Sequence, residues 1–365
     1  MFRYAIEDVD HSPMLVFYEV TRACDLTCRH CRACAMDQAH PNELTSEQSR
    51  EMIDQLLTFP SPPMLVVTGG DPMKRADTLD MVRYATGQGL TTSMVPSATP
   101  LLTEEVVGQL KDAGLARLGV SIDGPNASIH DKLRGFGGTF DRALSILDAA
   151  RNVGLPTQVN TVIASHNVND IDAMADLMGT LGITLWSVFF LVPVGRAVHS
   201  PRIEPKQYAQ VFERLFHHSQ HQPYAIKTTE APFYRRYVLQ HQGDPQRGEM
   251  RAPLGINDGK GILFVSHVGD VCPSGFLPIN TGRYPKDSIV DLYQNHPVFR
   301  ELRDPDLLRG KCGYCDYRQV CGGSRARAKA VCGSHLDSEP DCAYLPPDPP
   351  NSNPEPQRSP QPCSA

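Results

Sequence analysis

The sequence predicts an α/β fold built on a parallel sheet, and three observations carry that expectation. Six short apolar segments, rich in β-branched and aromatic residues, recur over the first 195 residues. Helical patterns fill the intervals between them. Strands joined through helices pair in parallel, because the crossover is right-handed and returns each strand to the same sheet. Six units are too few for the usual eight-stranded closed barrel, so an open, partial barrel or a doubly wound sheet is expected.

The six segments are MLVFYEV (14–20), MLVVT (64–68), LTTSMV (90–95), ARLGVSI (116–122), PTQVNTVI (156–163) and TLWSVFFLV (184–192). The first helix begins after Thr45, where Thr45 and Gln48 fit a capping box ahead of Met52, Ile53, Leu56 and Leu57. Further helices are predicted over 75–88, 102–113, 138–153 and 169–181. The core thus occupies residues 1–200. Residues 201–250 are polar, rich in His, Gln and Tyr, and read as a helical connector with a helix at 204–219. A smaller domain spans 251–345 and begins near Arg251; there GILFVSHVGDVCPSGFLPIN predicts two short strands joined by a turn at His267–Asp270. The segment 346–365 holds eight prolines in 20 residues and is expected to stay disordered, with Cys363 binding nothing.

Composition narrows the function. Of 365 residues, 41% are hydrophobic and 21% charged, which is ordinary for a globular protein. A net charge of -6 without a long basic run argues against a nucleic-acid binder. No apolar stretch reaches the roughly 18 residues that a membrane span needs. MFRYAIEDVDHSP is acidic where a signal peptide needs an apolar core. A soluble cytoplasmic protein is expected, with neither nucleic acid nor membrane as partner. Eleven cysteines then need an explanation other than disulfides. Burial as small hydrophobes suits Cys332, but not the two dense clusters at 24–34 and 312–342.

In parallel α/β sheets, ligands bind beyond the carboxyl ends of the strands. Those ends carry the first cysteines, then TGGDP (68–72), PSATP (96–100), SIDG (121–124), Asn160 within the fifth strand, and PVGR (193–196). Gly69 and Gly70 suit a turn, and they also let a ligand approach the backbone closely. RGFGGTF (134–140) lacks dinucleotide-loop spacing and reads as a loop entering the next helix. In TRACDLTCRHCRACA, Cys24, Cys28, Cys31 and Cys34 allow several sites. Arg32 after Cys31 excludes a Cys-x-x-Cys-His haem attachment. A redox pair of Cys28 and Cys31 would leave two thiols unexplained. Four-thiolate zinc sites are usually built from two separated pairs. Three thiolates on one loop could instead hold an iron–sulfur cluster.

Cys24-x3-Cys28-x2-Cys31, with His30 before the last cysteine, resembles the signature of the radical S-adenosylmethionine (SAM) superfamily. TGGDP resembles that superfamily's GGEP motif, with Asp71 in the glutamate position. The resemblance covers roughly residues 14–196 and implies a partial (β/α)6 barrel. It also implies a [4Fe–4S] cluster on Cys24, Cys28 and Cys31 whose fourth iron takes the amino and carboxylate groups of SAM. Reductive cleavage would give a 5′-deoxyadenosyl radical that removes hydrogen from an unactivated carbon. A fourth thiolate would block that iron, so Cys34 is expected not to bind it. The resemblance sets Gly69, Gly70 and Asp71 against the methionine amino group and Ser121 and Asp123 near the ribose or methionine. Asn160 and the backbone from Val192 to Val194 neighbour the nucleoside, and Arg134 meets the carboxylate. Ser121, Asn160 and Arg134 suit structural hydrogen bonds equally well. No general acid or base is singled out.

Cys312-x2-Cys315-x5-Cys321, followed by Cys342, resembles the end of the SPASM/twitch domain, which holds auxiliary [4Fe–4S] clusters. Arg325 stands where that pattern has a further cysteine, so one auxiliary cluster is implied, on Cys312, Cys315, Cys321 and Cys342. Cys272 is then a buried thiol, a neighbour of the cluster or an alternative ligand. Structural zinc is the competing reading. The basic residues Arg303, Arg309, Lys311, Arg318, Arg325, Arg327 and Lys329 are either a solvated helical face or a field acting on the cluster or an acidic partner.

The resemblance as a whole implies a radical SAM enzyme. GDVCPSGFLP resembles relatives that modify haem-pathway porphyrins by oxidative decarboxylation or side-chain loss. A sugar-nucleoside decarboxylase and a peptide maturase are the enzymatic alternatives, and a non-catalytic iron–sulfur carrier or zinc scaffold is the alternative of another class. No added peptide-binding domain is recognisable ahead of residue 14, which favours a small-molecule substrate. An electron donor such as flavodoxin or ferredoxin is expected.

Overall fold

A computed structural model describes residues 6–242 and 255–347. The predicted domain boundary near Arg251 and the proline-rich tail with Cys363 fall outside the described residues, apart from Pro346 and Pro347.

The strands are β1 (Leu15–Glu19), β2 (Met64–Thr68), β3 (Thr92–Met94), β4 (Arg117–Ser121), β5 (Thr157–Ile163), β6 (Leu185–Phe190), β7 (Ala225–Thr229), β8 (Ile262–Val265), β9 (Asp270–Cys272) and β10 (Gly282–Arg283). The helices are α1 (Ser46–Leu56), α2 (Thr78–Gly87), α3 (Glu104–Asp112), α4 (Ala127–Arg134), α5 (Thr139–Asn152), α6 (Ile171–Thr180), α7 (Pro205–His221), α8 (Phe233–Gln242), α9 (Ile289–Asn295), α10 (Pro297–Arg303), α11 (Gly310–Gly313) and α12 (Arg325–Cys332). The predicted capping box at Thr45 and Gln48 starts α1.

One sheet carries all ten of these strands, in the order β10-β9-β8-β1-β2-β3-β4-β5-β6-β7. From β1 to β6 every neighbour is the next strand in the chain, and each pair is parallel. A doubly wound sheet reverses its strand order partway; this one does not, so the core is a partial barrel.

The sheet also runs beyond the six predicted strands. β7 lies in the stretch read as helical connector, yet it pairs in parallel with β6. Its sequence, AIKTT, has no apolar face and is half-exposed on both sides, so no hydrophobic period announced it. At the other edge, β8 pairs in parallel with β1, and the predicted hairpin continues antiparallel through β9. The C-terminal region therefore enters the sheet of the core. Helix α4 was also missed, because eight residues with two buried positions leave little periodic signal.

Register partners in a ladder point to the same face. Val16, Tyr18, Leu65, Val67, Leu118, Val120, Val159, Trp186 and Val188 face outward and are buried in one core that includes helical side chains. The other face turns into the lumen. β5 shows the division: TQVNTVI alternates buried and half-buried residues, with Gln158, Asn160 and Val162 on the lumen side.

Helix α12 fastens the C-terminal segment to the barrel through Arg327, whose side chain is fully buried. Its guanidinium donates to the carbonyls of Phe190, Leu191 and Glu230, at 3.4, 3.3 and 2.7 Å. It also pairs with Glu339 at 3.0 Å and Asp341 at 3.2 Å. Burial works against this charge, but the carboxylates beside it hold its pKa above the ordinary guanidinium value. Arg327→Ala would leave Glu339 buried without its cation and Asp341 with Arg202 alone, at 3.3 Å. A loss of about 3–5 kcal/mol is expected, read as a lower urea midpoint for the reconstituted protein. An unchanged midpoint would show that the joint is held elsewhere.

Candidate functional site

The barrel mouth holds a cavity of about 210 Å³. Cys24, Cys28 and Cys31 line it, with Gly69, Gly70, Ser121, Arg134, Asn160 and Val192. Asp71, Asp123 and Val194 lie outside that lining.

Backbone contacts hold the cysteine loop against the strand ends. Gly70 N–H donates to Thr21 O at 2.8 Å, and Asp71 N–H to Ala23 O at 2.7 Å. A Cβ on Gly70 would sit 2.5 Å from Ala23 O, so only glycine permits this approach. Gly195 does the same from the β6 side. It has φ +58, a Cβ there would fall 2.5 Å from Cys31 O, and Arg196 N–H donates to Cys31 O at 3.0 Å. Cys34 behaves differently: it is exposed, absent from the cavity lining, and its carbonyl accepts from Arg22.

The three cavity thiols differ electrostatically. Burial pushes the Cys24 thiol up, against a weak contact with Ser97 Oγ at 3.4 Å. Burial also acts on Cys31, but the Ala35 N–H and the Arg196 guanidinium outweigh it and lower its pKa. Arg134 Nη1 lies 3.9 Å from Cys28 Sγ.

Two expected ligand contacts prove to be engaged with protein. The Asp71 carboxylate is buried; it accepts from Met73 N–H, Ser97 N–H and the Thr99 hydroxyl at 3.1, 3.3 and 2.7 Å. It caps a 3₁₀ turn and anchors the loop after β3. Asp123 is also buried and pairs with Arg134 at 2.5 Å. Burial raises its pKa, but Arg134, His30 and His130 overcome that and bring it to about 2. Of this pair, only Arg134 reaches the cavity. Asn160 Oδ1 accepts from Gln158 at 2.6 Å.

The sequence did not single out Ser97, Arg32, His130 or the aromatic wall of Phe189 and Phe276, all of which line the cavity. Ser97 lies within PSATP, which did mark a strand end. Arg32 is held from behind by Glu19 at 3.0 Å, and Glu19 in turn meets His267 at 2.9 Å. No pattern of local spacing links residues 19, 32 and 267.

The second cysteine group also comes together. Cys312, Cys315, Cys321 and Cys342 line one pocket with Phe233, Arg236 and Tyr344. Burial raises the thiols of Cys315 and Cys342, and lifts that of Cys321 to about 12. Cys272 is elsewhere, buried in β9, with its thiol pushed up to about 12 by burial. The expected basic face is divided. Arg325 and Arg327 are buried, Arg303, Lys311 and Arg318 are half-buried, and Arg309 and Lys329 are exposed; Arg303 packs over Tyr293 at 5.0 Å, and Arg318 pairs with Asp306 at 3.0 Å.

His130 gives a test of the enclosure. It is fully buried, and its Nδ1 accepts from Asp123 N–H at 3.0 Å. The proton therefore sits on Nε2, which has no partner among the described residues. Burial, opposed by Asp123 and reinforced by Arg134, lowers its pKa from 6.5 to about 4. Between those values the unfolded chain binds more protons than the folded one, so this histidine's contribution to stability falls as pH drops from 6.5 to 4. An NMR titration of the His130 ring should give a midpoint near 4. A midpoint near the ordinary histidine value would contradict the enclosure.

The chain matches the profile of the radical SAM superfamily over residues 18–178. It is 37% identical over 344 residues to an AdoMet-dependent heme synthase from Methanosarcina barkeri, covering 92% of this chain and 98% of that one. It is 28% identical over 347 residues to the mycofactocin maturase MftC of Mycolicibacterium smegmatis, covering 91% and 83%. Its fold matches Streptococcus suis SuiB, solved with S-adenosylmethionine, at a TM-score of 0.72 and 15% identity, covering 92% of this chain and 78% of SuiB. With its partial barrel and thiol-lined mouth, the chain belongs to the radical SAM superfamily, whose enzymes use a [4Fe–4S] cluster and S-adenosylmethionine.

Proposed function

We propose that this radical SAM enzyme acts in haem biosynthesis, oxidatively decarboxylating a carboxylate side chain of a tetrapyrrole. The observation that carries this reading is the 37% identity to a heme synthase across nearly the full length of both chains. A peptide substrate is the second reading, supported by the 28% identity to a mycofactocin maturase.

The residues at the mouth fit the family's cofactors. Cys24, Cys28 and Cys31 would hold the cluster, and Cys34, exposed and outside the cavity lining, would not join them, so that one iron would be left without a thiolate. When bound, the cluster and S-adenosylmethionine supply a carbon radical able to take hydrogen from an unactivated position. The chain's own residues position and enclose. Gly69 and Gly70 open the backbone to the methionine end. Ser121, Asn160 and the Val192 backbone present polar groups to the nucleoside. Arg134, braced by Asp123, offers its unpartnered Nε toward a carboxylate. Cys312, Cys315, Cys321 and Cys342 would hold an auxiliary cluster. Burial raises the thiols of Cys315, Cys321 and Cys342, which disfavours their thiolates, and an iron cluster would supply the cationic centre that offsets this. The electron donor would be a flavodoxin or ferredoxin. No helix among the described residues is long and apolar enough to cross a membrane.

Anaerobic reconstitution followed by dithionite and S-adenosylmethionine should yield 5′-deoxyadenosine. With a carboxylated porphyrin added, carbon dioxide should be released. Porphyrin turnover without carbon dioxide would sink the decarboxylase reading. Cys28→Ala should abolish cleavage, whereas Cys34→Ala should keep its first cluster. Iron and sulfide should reach about eight each per chain, as two four-iron clusters require, and Cys321→Ser should lower both toward four. Zinc in the second pocket would exclude the auxiliary cluster.

A further inference from the structure

One arginine at the barrel mouth has no role in holding the cofactors. Arg32 follows Cys31 in the chain and lines the mouth cavity. Its head group is held on several sides. Nη1 pairs with Glu19 Oε2 at 3.0 Å, and the other Glu19 oxygen meets His267 Nδ1 at 2.9 Å. The guanidinium carbon lies 4.7 Å from the centre of the Phe264 ring. Gly275 packs against the same group: a Cβ there would fall 2.8 Å from Nε and 2.9 Å from Cζ. The guanidinium therefore has a fixed place before any ligand arrives, and 19% of the side chain stays exposed. It carries five N–H donors in a planar fork, and the bond from Nη1 to Glu19 uses only part of that fork.

The cavity around Arg32 has no carboxylate of its own and offers an aromatic wall. No aspartate or glutamate is among the described residues that line it, whereas Arg32, Arg134, His30 and His130 are. Glu19 is buried and lies outside that lining, behind the guanidinium it braces. Phe276, the residue after Gly275, forms the wall with Phe189, their ring centres 6.2 Å apart. Ser274 fixes this turn: its Oγ accepts from Phe276 N–H at 3.2 Å and from Leu277 N–H at 3.0 Å. The stretch PSGF thus serves one cavity twice, because Gly275 admits the guanidinium and Phe276 supplies a ring. A flat ring system edged with carboxylates suits this pairing, with its face on the phenyl rings and a carboxylate on the fork.

We propose that Arg32 anchors the substrate by binding one carboxylate of the tetrapyrrole while the ring system lies against Phe276 and Phe189. The assignment rests on the tetrapyrrole reading and deepens it, since it names the residue that orients the macrocycle at the mouth. Arg134, braced by Asp123, remains for the cofactor. Glu19, His267 and Gly275 are positioning residues, because they act through the guanidinium. A fork held in place by its protein contacts loses little freedom on binding, which favours the carboxylate over a neutral ester.

The test uses the anaerobically reconstituted protein with two probes, iron coproporphyrin III and its tetramethyl ester, and reads binding from the porphyrin absorption band. The wild type should bind the acid at least tenfold more tightly than the ester. Arg32→Gln should weaken acid binding about tenfold, the loss of one charge-assisted hydrogen bond, and leave the affinities for the ester and for S-adenosylmethionine as they were. Gly275→Ala keeps every charge but displaces the guanidinium, and it should weaken acid binding with the same selectivity. It decides the matter if Arg32→Gln fails to hold its cluster. Cluster absorption and thermal midpoints matching the wild type establish that a variant is folded. The anchor is overturned if the folded variants bind the acid as tightly as the wild type does, or if the wild type binds acid and ester alike. Equal losses for acid and ester overturn it too, because cavity shape and not charge would then be at work. A loss of S-adenosylmethionine affinity with porphyrin binding intact would move Arg32 to the cofactor and overturn it as well. In all these cases the tetrapyrrole reading survives. If the wild type binds neither probe, that reading falls and takes the anchor with it.

Discussion

A single buried guanidinium joins the two cysteine sites. Arg327 donates to the carbonyls of Phe190 and Leu191 at the end of β6, and both residues also line the barrel cavity. It pairs at the same time with Glu339, whose N–H donates to Cys312 Sγ at 3.3 Å. Ser324 extends the contact, giving its N–H to Glu339 and its hydroxyl to Glu230. A charge buried this deeply is tolerated only when its donors are matched. The C-terminal segment therefore has little freedom to shift without exposing unpaired charge. That constraint sets the second thiol pocket at a defined position relative to the first.

The same logic of buried charge organises the mouth. Asp123 is committed to Arg134, and Glu19 to both Arg32 and His267. Each carboxylate lies behind a cation that reaches the cavity, so the protein presents positive edges to ligands and keeps its acids out of contact. Asp71 follows the same pattern with neutral donors. Its carboxylate orders the loop of Ser97, and Ser97 in turn contacts Cys24. Polar residues that resemble ligand contacts in the sequence are, in several cases, the supports of the groups that make contact.

Local order in this fold was legible wherever it depended on local spacing. The Thr45–Gln48 capping box, the apolar segment at 156–163 and the glycines of TGGDP each express a constraint settled within a few residues. Signals failed where the period was weak. AIKTT sits at a sheet edge and has no apolar face, so β7 looked like connector. Arg325 and Arg327 looked like part of a basic helical face. Nothing near them in sequence announces Glu339, Asp341 or the carbonyls that bury them.

The sequence by itself determined the strand–helix alternation, the parallel sheet and the loop of three closely spaced thiols. These follow from hydrophobic period and short-range geometry. Only the tertiary structure decided that Cys312, Cys315, Cys321 and Cys342 share a pocket, that the carboxylates of Asp71 and Asp123 are engaged by protein groups, and that β8 pairs with β1. Each of these depends on pairing a buried polar group with a partner far along the chain, and spacing in one segment cannot encode that partner.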